Sequence, residues 1–516
     1  MATFTRRNAW NNNGTFNNPD LLWYAKAVEV MQSRHLDDPT SWWFFAAIHG
    51  QTLTRPAPPR TFKWADIKSQ PNVPTTPLPP QGLMDQYWDQ CQHGTWFFPP
   101  WHRGYLFAIE NILRGIILKL GGPGDWALPY WNYFGPAKEF QIPPAFTEQK
   151  LPDGTPNALL VKHRYGPNND GHIFIPLSSW GITQQCQRLT DYTGVNPNFY
   201  GGDETGFNHN SGPLGALEYN PHGAVHVAIG GQTPSGTGGL MSKPPTAALD
   251  PIFYLHHSNI DRMWAAWNKA GRANPTNQKW LNGPWATADR KFFMPKPDKT
   301  PWQYTSAMVN DTNQLDYTYQ DLSLGIAVPF MSTNALRLLN FGLTEDEIKA
   351  FNEMSVKNTS ELVGANSSRI TIDAKGVRTT VKLDSKGWNT VTRSLTNTFK
   401  ALTDSTVAAS LPDELYLQLE GVKGNEDSVV CSVSVNGHYA GHLYLFGLSD
   451  ASMKDGQHGG AGLTISLDIT RIADQLHLKN ELDSSGLDVL IQPVNIVAEG
   501  SELTIDRVSI YRKGQS

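Results

Sequence analysis

Cysteine is scarce: Cys91, Cys186 and Cys431 are the three in 516 residues, and they lie far apart. That excludes a disulfide framework and a thiolate zinc cluster, both of which need several cysteines at close spacing. Charge is also sparse. Asp, Glu, Lys and Arg make up 17% of the chain and sum to −5, with no long basic block, so no stripe exists for a phosphate backbone and nucleic acid is not an expected partner. No apolar run reaches the roughly 18 residues of a membrane span, and the opening Met-Ala-Thr-Phe-Thr-Arg-Arg lacks the roughly 7–15 apolar residues of a secretory signal. The expectation is a cytoplasmic protein with no membrane partner, with homo-oligomerisation left open. Internal repeats and low-complexity tracts are missing too.

What is present is aromatic and loop-forming: 17 Trp, 22 Phe, 36 Pro and 45 Gly. At this length the domain-size prior gives two or three domains. Residues 1–320 hold helical patterns set in long loops, at residues 20–34, Ser41 to His49, Trp101 to Leu120 and Leu255 to Lys269. They suit a mainly α catalytic domain built on a four-helix bundle whose interior can hold metal ligands. Residues 321–356 read as a linker with one short helix, Thr344 to Phe351, opened by the capping pattern Thr344-Glu-Asp-Glu347. Residues 357–516 alternate β-branched stretches, among them Glu414 to Glu420, Ser428 to Val435, Leu463 to Ile469 and Leu503 to Tyr511. Turn residues such as Asn436-Gly437 bound them, so the expected fold is an all-β sandwich.

The chemistry lies in histidines. His222 and His226 are four apart in Asn220-Pro-His-Gly-Ala-Val-His226, so on a helix both rings face one ion. Asp250-Pro251 opens a helix that delivers His256 and His257. Neighbours on a helix diverge by about 100°, so one of the two reaches the same metal and the other stands behind it. His49, His93 and His102 form a second group in the first third of the chain. Three neutral imidazoles per ion leave coordination positions open for a small molecule, which a catalytic metal needs.

Two long segments, Phe97-Phe-Pro-Pro-Trp-His-Arg-Gly-Tyr-Leu106 and Asp250-Pro-Ile-Phe-Tyr-Leu-His-His-Ser-Asn-Ile-Asp-Arg-Met-Trp264, resemble the two copper signatures of the tyrosinase and catechol oxidase family of type-3 copper proteins. The resemblance implies two copper ions, held by His49, His93 and His102 and by His222, His226 and His257, with O2 as co-substrate and small phenols as substrates. The expected reaction is oxidation of o-diphenols to o-quinones, with ortho-hydroxylation of monophenols such as tyrosine. The same resemblance makes Cys91 a partner for a Cys–His thioether with His93. It makes Glu218 the carboxylate that holds a water for deprotonating the phenol, with Gly223 where other members carry an orienting Asn. Pro244 falls at a gate position over the second copper. His256 and Phe253 are read as neighbours that orient and pack the ligands, with Trp101, Asp261 and Arg262 in packing or ion-pairing roles. Tyr317-Thr-Tyr319 resembles the tyrosine motif that closes the catalytic domain, with Arg6 or Arg7 expected beside it.

The β region, through Glu414-Leu-Tyr-Leu-Gln-Leu-Glu-Gly421 and Val433-Ser-Val-Asn-Gly-His-Tyr-Ala-Gly441, resembles the shielding domain of longer polyphenol oxidases. It is expected to keep the enzyme latent, with Tyr439 as the side chain reaching the coppers. Two rivals are a hemocyanin-like oxygen carrier, which would form no quinone, and a dinuclear zinc hydrolase, whose bridging carboxylates the two histidine groups lack.

Overall fold

The computed structural model describes residues 3–194, 199–208, 212–286, 291–326, 337–339, 344, 358–403, 412–454, 460–482 and 486–515. Four helices carry the N-terminal region: Pro19–Gln32, Trp42–His49, Phe98–Lys119 and Ile252–Lys269. Each begins on a local signal. The Asn18 side chain accepts from the Asp20 N–H at 3.0 Å, with Pro19 in the first turn. The Ser41 hydroxyl accepts from the Phe44 N–H at 3.0 Å. Capping of this kind removes an orphan donor and contributes about 1 kcal/mol. Phe98–Lys119 begins three residues before the predicted start, because Pro99 and Pro100 fit a first turn that needs no N–H donors. The helix expected at Thr344 to Phe351 lies outside the described residues except Thr344. Among the described residues no helix is long and apolar enough to cross a membrane.

Tryptophans stitch the long loops to these helices. Trp42, Trp64, Trp126, Trp131, Trp267 and Trp280 are buried. Their indole N–H groups donate to the carbonyls of Leu249, Pro245, Asp20, Glu139, Leu189 and Trp96 over 2.7–3.0 Å. Each ring thus fills the core and satisfies an irregular backbone at once.

The ends of the N-terminal region meet as the tyrosine motif implied. Strand Phe4–Arg6 pairs in parallel with Tyr317–Tyr319. Arg6, not Arg7, enters the core: it donates to Tyr319 Oη at 2.8 Å and Asp261 Oδ2 at 3.2 Å, and pairs with Glu110. Arg103 reaches the other Asp261 oxygen at 2.5 Å. Burial works to raise the Asp261 pKa, and Arg103 and Arg6 outweigh it, holding the carboxylate below its ordinary range. Arg6→Met would leave Glu110 with one cation and Asp261 with one, so it should destabilise the chain by about 3–5 kcal/mol. Denaturant unfolding at equal copper content measures this, and a loss below about 1 kcal/mol, the scale of a surface pair, would contradict it.

The C-terminal region is a large β-sheet. Its strands run edge to edge in the order His438–Tyr444, Val430–Val435, Leu487–Pro493, Val377–Leu383, Asn358–Ala365, Leu503–Gln515, Glu414–Gly424 and Leu463–Asp468. Asn436 and Gly437 adopt positive φ of 48° and 77°, giving the hairpin turn that this dipeptide favours. Two helices accompany the expected strands, Ser385–Thr403 and Thr470–Leu478. Trp388, Val391 and Leu395 lie at helical spacing and join one core with Val433, Ile491, Leu417 and Ile510. The Thr-rich composition of 385–403 hides that spacing behind a β-like content.

The two regions are joined through buried contacts. Leu463 and Thr464 pair in parallel with Gly212 and Pro213. Val430, Tyr444 and Phe446 belong to the apolar core of the N-terminal region.

Candidate metal centre

Helices Trp42–His49, Phe98–Lys119 and Ile252–Lys269, the 218–223 turn with the short helix Ala224–Gly230 after it, and the loop that carries His93 bring six histidine rings around one buried space. Ring centroids of His49, His93 and His102 lie 5.3–5.8 Å apart, and those of His222, His226 and His257 lie 4.6–5.3 Å apart. Across the two groups, His102 stacks on His257 at 4.6 Å and His93 lies 5.8 Å from His222. None is more than 3% exposed. His222 sits in a π turn, Glu218–Gly223, whose wider winding feeds the helix Ala224–Gly230 that bears His226. Such turns recur at functional sites because they redirect one side chain without ending the helix.

Anchoring explains why the rings point inward. The Nδ1 of His49 donates to the Pro244 carbonyl at 3.0 Å, that of His102 to Phe98 at 2.8 Å, that of His222 to Glu218 at 3.1 Å and that of His226 to Met241 at 2.8 Å. With the proton fixed on Nδ1, each Nε2 keeps a lone pair. The Nε2 atoms of His49, His102 and His222 are buried and make no hydrogen bond, which would cost about 1–3 kcal/mol each unless something else binds them. His226 Nε2 and His257 Nε2 are 3.1 Å apart, close to the roughly 3.3 Å spanned by two nitrogens on one tetrahedral ion at ~2.0 Å. Burial pushes the His49 pKa down to about 4 and the His256 pKa to about 3, and drives His102, His222, His226 and His257 the same way. Neutral imidazoles at neutral pH are what a divalent or monovalent copper needs, and the donor set holds no bridging carboxylate.

The remaining predicted residues fall around this space. Phe253 stacks on His257 at 4.0 Å and meets His49 at 4.9 Å edge-on, separating the rings from the helix core. His256 is fully buried and stacks on His222 at 5.5 Å. Cys91 Sγ lies 3.4 Å from His93 Nδ1. Glu218 is buried, both its oxygens accept from the Gly94 N–H at 3.0–3.1 Å, and burial raises its pKa well above the ordinary value against that bond. It thereby links the turn before His222 to the residue after His93. Gly223 lines the same small cavity as Glu218, His93 and His222.

Pro244 is buried, and its carbonyl orients His49 of the first histidine group. One expectation is corrected. Tyr439 is 56% exposed and its hydroxyl is spent on His442 Nδ1. The side chain from the β region that enters the site is Phe446: it stacks on His226 at 4.1 Å with planes 20° apart, and lies 5.5 Å from His222 and 5.9 Å from His93. Its sequence signal was an aromatic just beyond a strand, before Gly447, whose φ of 79° turns the chain away. Sequence reasoning also missed the carbonyls of Met241 and Pro244, since any residue type supplies one.

Comparisons with known proteins agree with this geometry. A family described as the common central domain of tyrosinase matches residues 39–205 and 169–270, and a family described as a domain of unknown function matches residues 359–513. The chain is similar to a tyrosinase of Hahella sp., 31% identical over 510 residues that cover 95% of this chain and 96% of that one. It is similar to the chloroplastic catechol oxidase B of Solanum tuberosum, 30% identical over 239 residues, 44% of this chain and 38% of that one. The solved structure of latent apple tyrosinase shares the fold, with a TM-score of 0.56 at 19% identity over 100% of this chain and 98% of the other. With two histidine groups suited to two copper ions and a β-sheet region behind them, the chain belongs to the tyrosinase family of type-3 copper phenol oxidases, in its long form with a C-terminal domain.

Proposed function

We propose that the chain oxidises o-diphenols to o-quinones with O2 and also hydroxylates monophenols ortho to their oxygen, at copper ions held by His49, His93 and His102 and by His222, His226 and His257. The observation that carries this is the set of inward Nε2 atoms backed by Nδ1–H bonds to carbonyls. Bound copper supplies O2 activation and electron uptake. The protein supplies the rest. Phe98 and Phe253 wall the rings from water, which sharpens every electrostatic interaction inside. Glu218, with its raised proton affinity, is a stronger base than an exposed carboxylate and is suited, through a water, to take the proton of a phenol near pKa 10. Cys91 is placed to form a thioether with His93, losing two hydrogens to the copper and O2 chemistry, and this would stop the ring from turning. Intact-mass measurement of copper-matured protein should show a loss of two hydrogens that Cys91→Ser lacks.

Phe446 occupies the face of His226 where a phenol ring would lie, so the C-terminal region acts as a lid and the full chain is latent. The same plug favours a second reading, an oxygen carrier closed to phenols. Copper analysis with paired catechol and tyrosine assays tests both: quinone from catechol supports the oxidase, and product from tyrosine without added diphenol supports hydroxylation. Copper-loaded protein that binds O2 yet makes no quinone even with Phe446 removed would leave the carrier.

A further inference from the structure

The C-terminal region does more than cover the site. We propose that its Asp427 and Ser428 are positioning residues for the copper ligands, holding in place the segment whose carbonyls orient one histidine of each group. This rests on the ligand assignment proposed above.

The segment is Leu240 to Ala247. Its Met241 carbonyl takes the His226 Nδ1–H and its Pro244 carbonyl takes that of His49. Between them stands Lys243, fully buried. Its ammonium pairs with Asp427 across the interface and is also bonded to Ser449 Oγ at 3.2 Å and the Pro59 carbonyl at 3.3 Å. Asp427 is itself fully buried, and its other oxygen accepts from the Ser449 N–H at 3.2 Å. A buried ammonium without its carboxylate is strongly unfavourable and would draw its stem toward water. That stem is attached midway between the two orienting carbonyls.

Ser428 acts on the other side of the same ligand. Its hydroxyl donates to the Gly231 carbonyl at 2.9 Å, directly after the helix Ala224–Gly230 that carries His226. The Ser242 hydroxyl donates to that same carbonyl at 2.8 Å. One oxygen thus ties together the end of the His226 helix, the residue between Met241 and Lys243, and the C-terminal region. The neighbouring Glu426 pairs with Arg60 at 2.7 Å, a further interface contact in which the Arg60 side chain bonds Glu426, Ser501 and the Glu499 carbonyl and none of Leu240 to Ala247. All three residues, Glu426 to Ser428, are at most 1% exposed and fill the turn between strands Glu414–Gly424 and Val430–Val435.

Partners that orient a metal's histidines are worth about 10–100-fold in metal affinity. The test measures copper release to a chelator from the full-length, copper-loaded chain. Asp427→Asn should release copper about 10–100-fold faster than the wild type, and the ligand-field spectrum of its copper(II) form should shift. Ser449→Ala, which trims one contact and leaves the pair, should quicken release in the same direction by less, and it carries the test if Asp427→Asn does not fold. Arg60→Ala removes side-chain contacts of the interface and leaves the Pro59 carbonyl on Lys243, so it should release copper at the wild-type rate with an unshifted spectrum. Wild-type release in both Asp427→Asn and Ser449→Ala would overturn the proposal, as would equal acceleration by Arg60→Ala, which would mean general loosening. A wild-type chain that binds no copper would overturn the dicopper reading itself, before any variant is compared.

Discussion

His257→Ala, supplied with copper, is expected to lose at least about 10³-fold of its catechol oxidation, whereas His256→Ala loses far less. The two differ by one position and are both buried, so the contrast isolates coordination from packing. His257 Nε2 faces His226 Nε2 at 3.1 Å and its ring lies against His102 of the other group. His256 stacks on His222 at 5.5 Å, with a ring nitrogen within 4.8 Å of those of His222, His226 and His257. Bound copper supplies the O2 activation, so a site that has lost one of its three rings gives up several kcal/mol of barrier lowering, and each ~1.4 kcal/mol is a factor of about ten. Removing His257 also leaves Phe253 facing a hole, so the copper content of both variants must be measured beside their rates. Full diphenol oxidation by His257→Ala, or its loss in His256→Ala alone, would reverse the assignment.

Phe446→Ala in the full chain is expected to raise kcat/KM for catechol by about 10–100-fold. Burying a Phe side chain contributes about 1.5–3 kcal/mol and a stacked ring pair about 0.5–1.5 kcal/mol, so the closed plug is favoured by about 2–4 kcal/mol over an open one. A substrate that must displace it sees its apparent affinity fall by the open fraction. The gain falls short of the whole closure energy because Tyr444 and Leu463 of the same region still line the cavity. The gain should appear mostly in KM, because Ala leaves Glu218 and the histidines untouched. Tyr439→Ala, at the position favoured by sequence, should change the rate little. Equal activity of Phe446→Ala and wild type would mean that the side chain is no barrier.

Much of the centre was legible because its chemistry and its local structure coincide. The Asp250-Pro251 start fixes which way the following helix runs, and the 222/226 spacing needs only a helical turn. Helix geometry alone left His256 and His257 open, the family resemblance chose His257, and Phe253 and His102 pack against that ring. The lid residue depended on how a distant sheet docks, and a hairpin with a strong turn signal drew the assignment to Tyr439 when the docking edge lay beyond the next strand. Pro244 adds a backbone oxygen to the site, which carries no residue-type signature. The helix Ser385–Thr403 escaped because its threonines have β-like content while Trp388, Val391 and Leu395 follow the helical period.

Anomalous diffraction at the copper edge on crystals of the copper-loaded chain tests the central claim most directly. Two copper peaks of similar occupancy, about 3.5–4 Å apart as in other two-metal sites, one against His49, His93 and His102 and the other against His222, His226 and His257, are the expected result. A single peak, or two that lie too far apart to share one small molecule, would contradict the account.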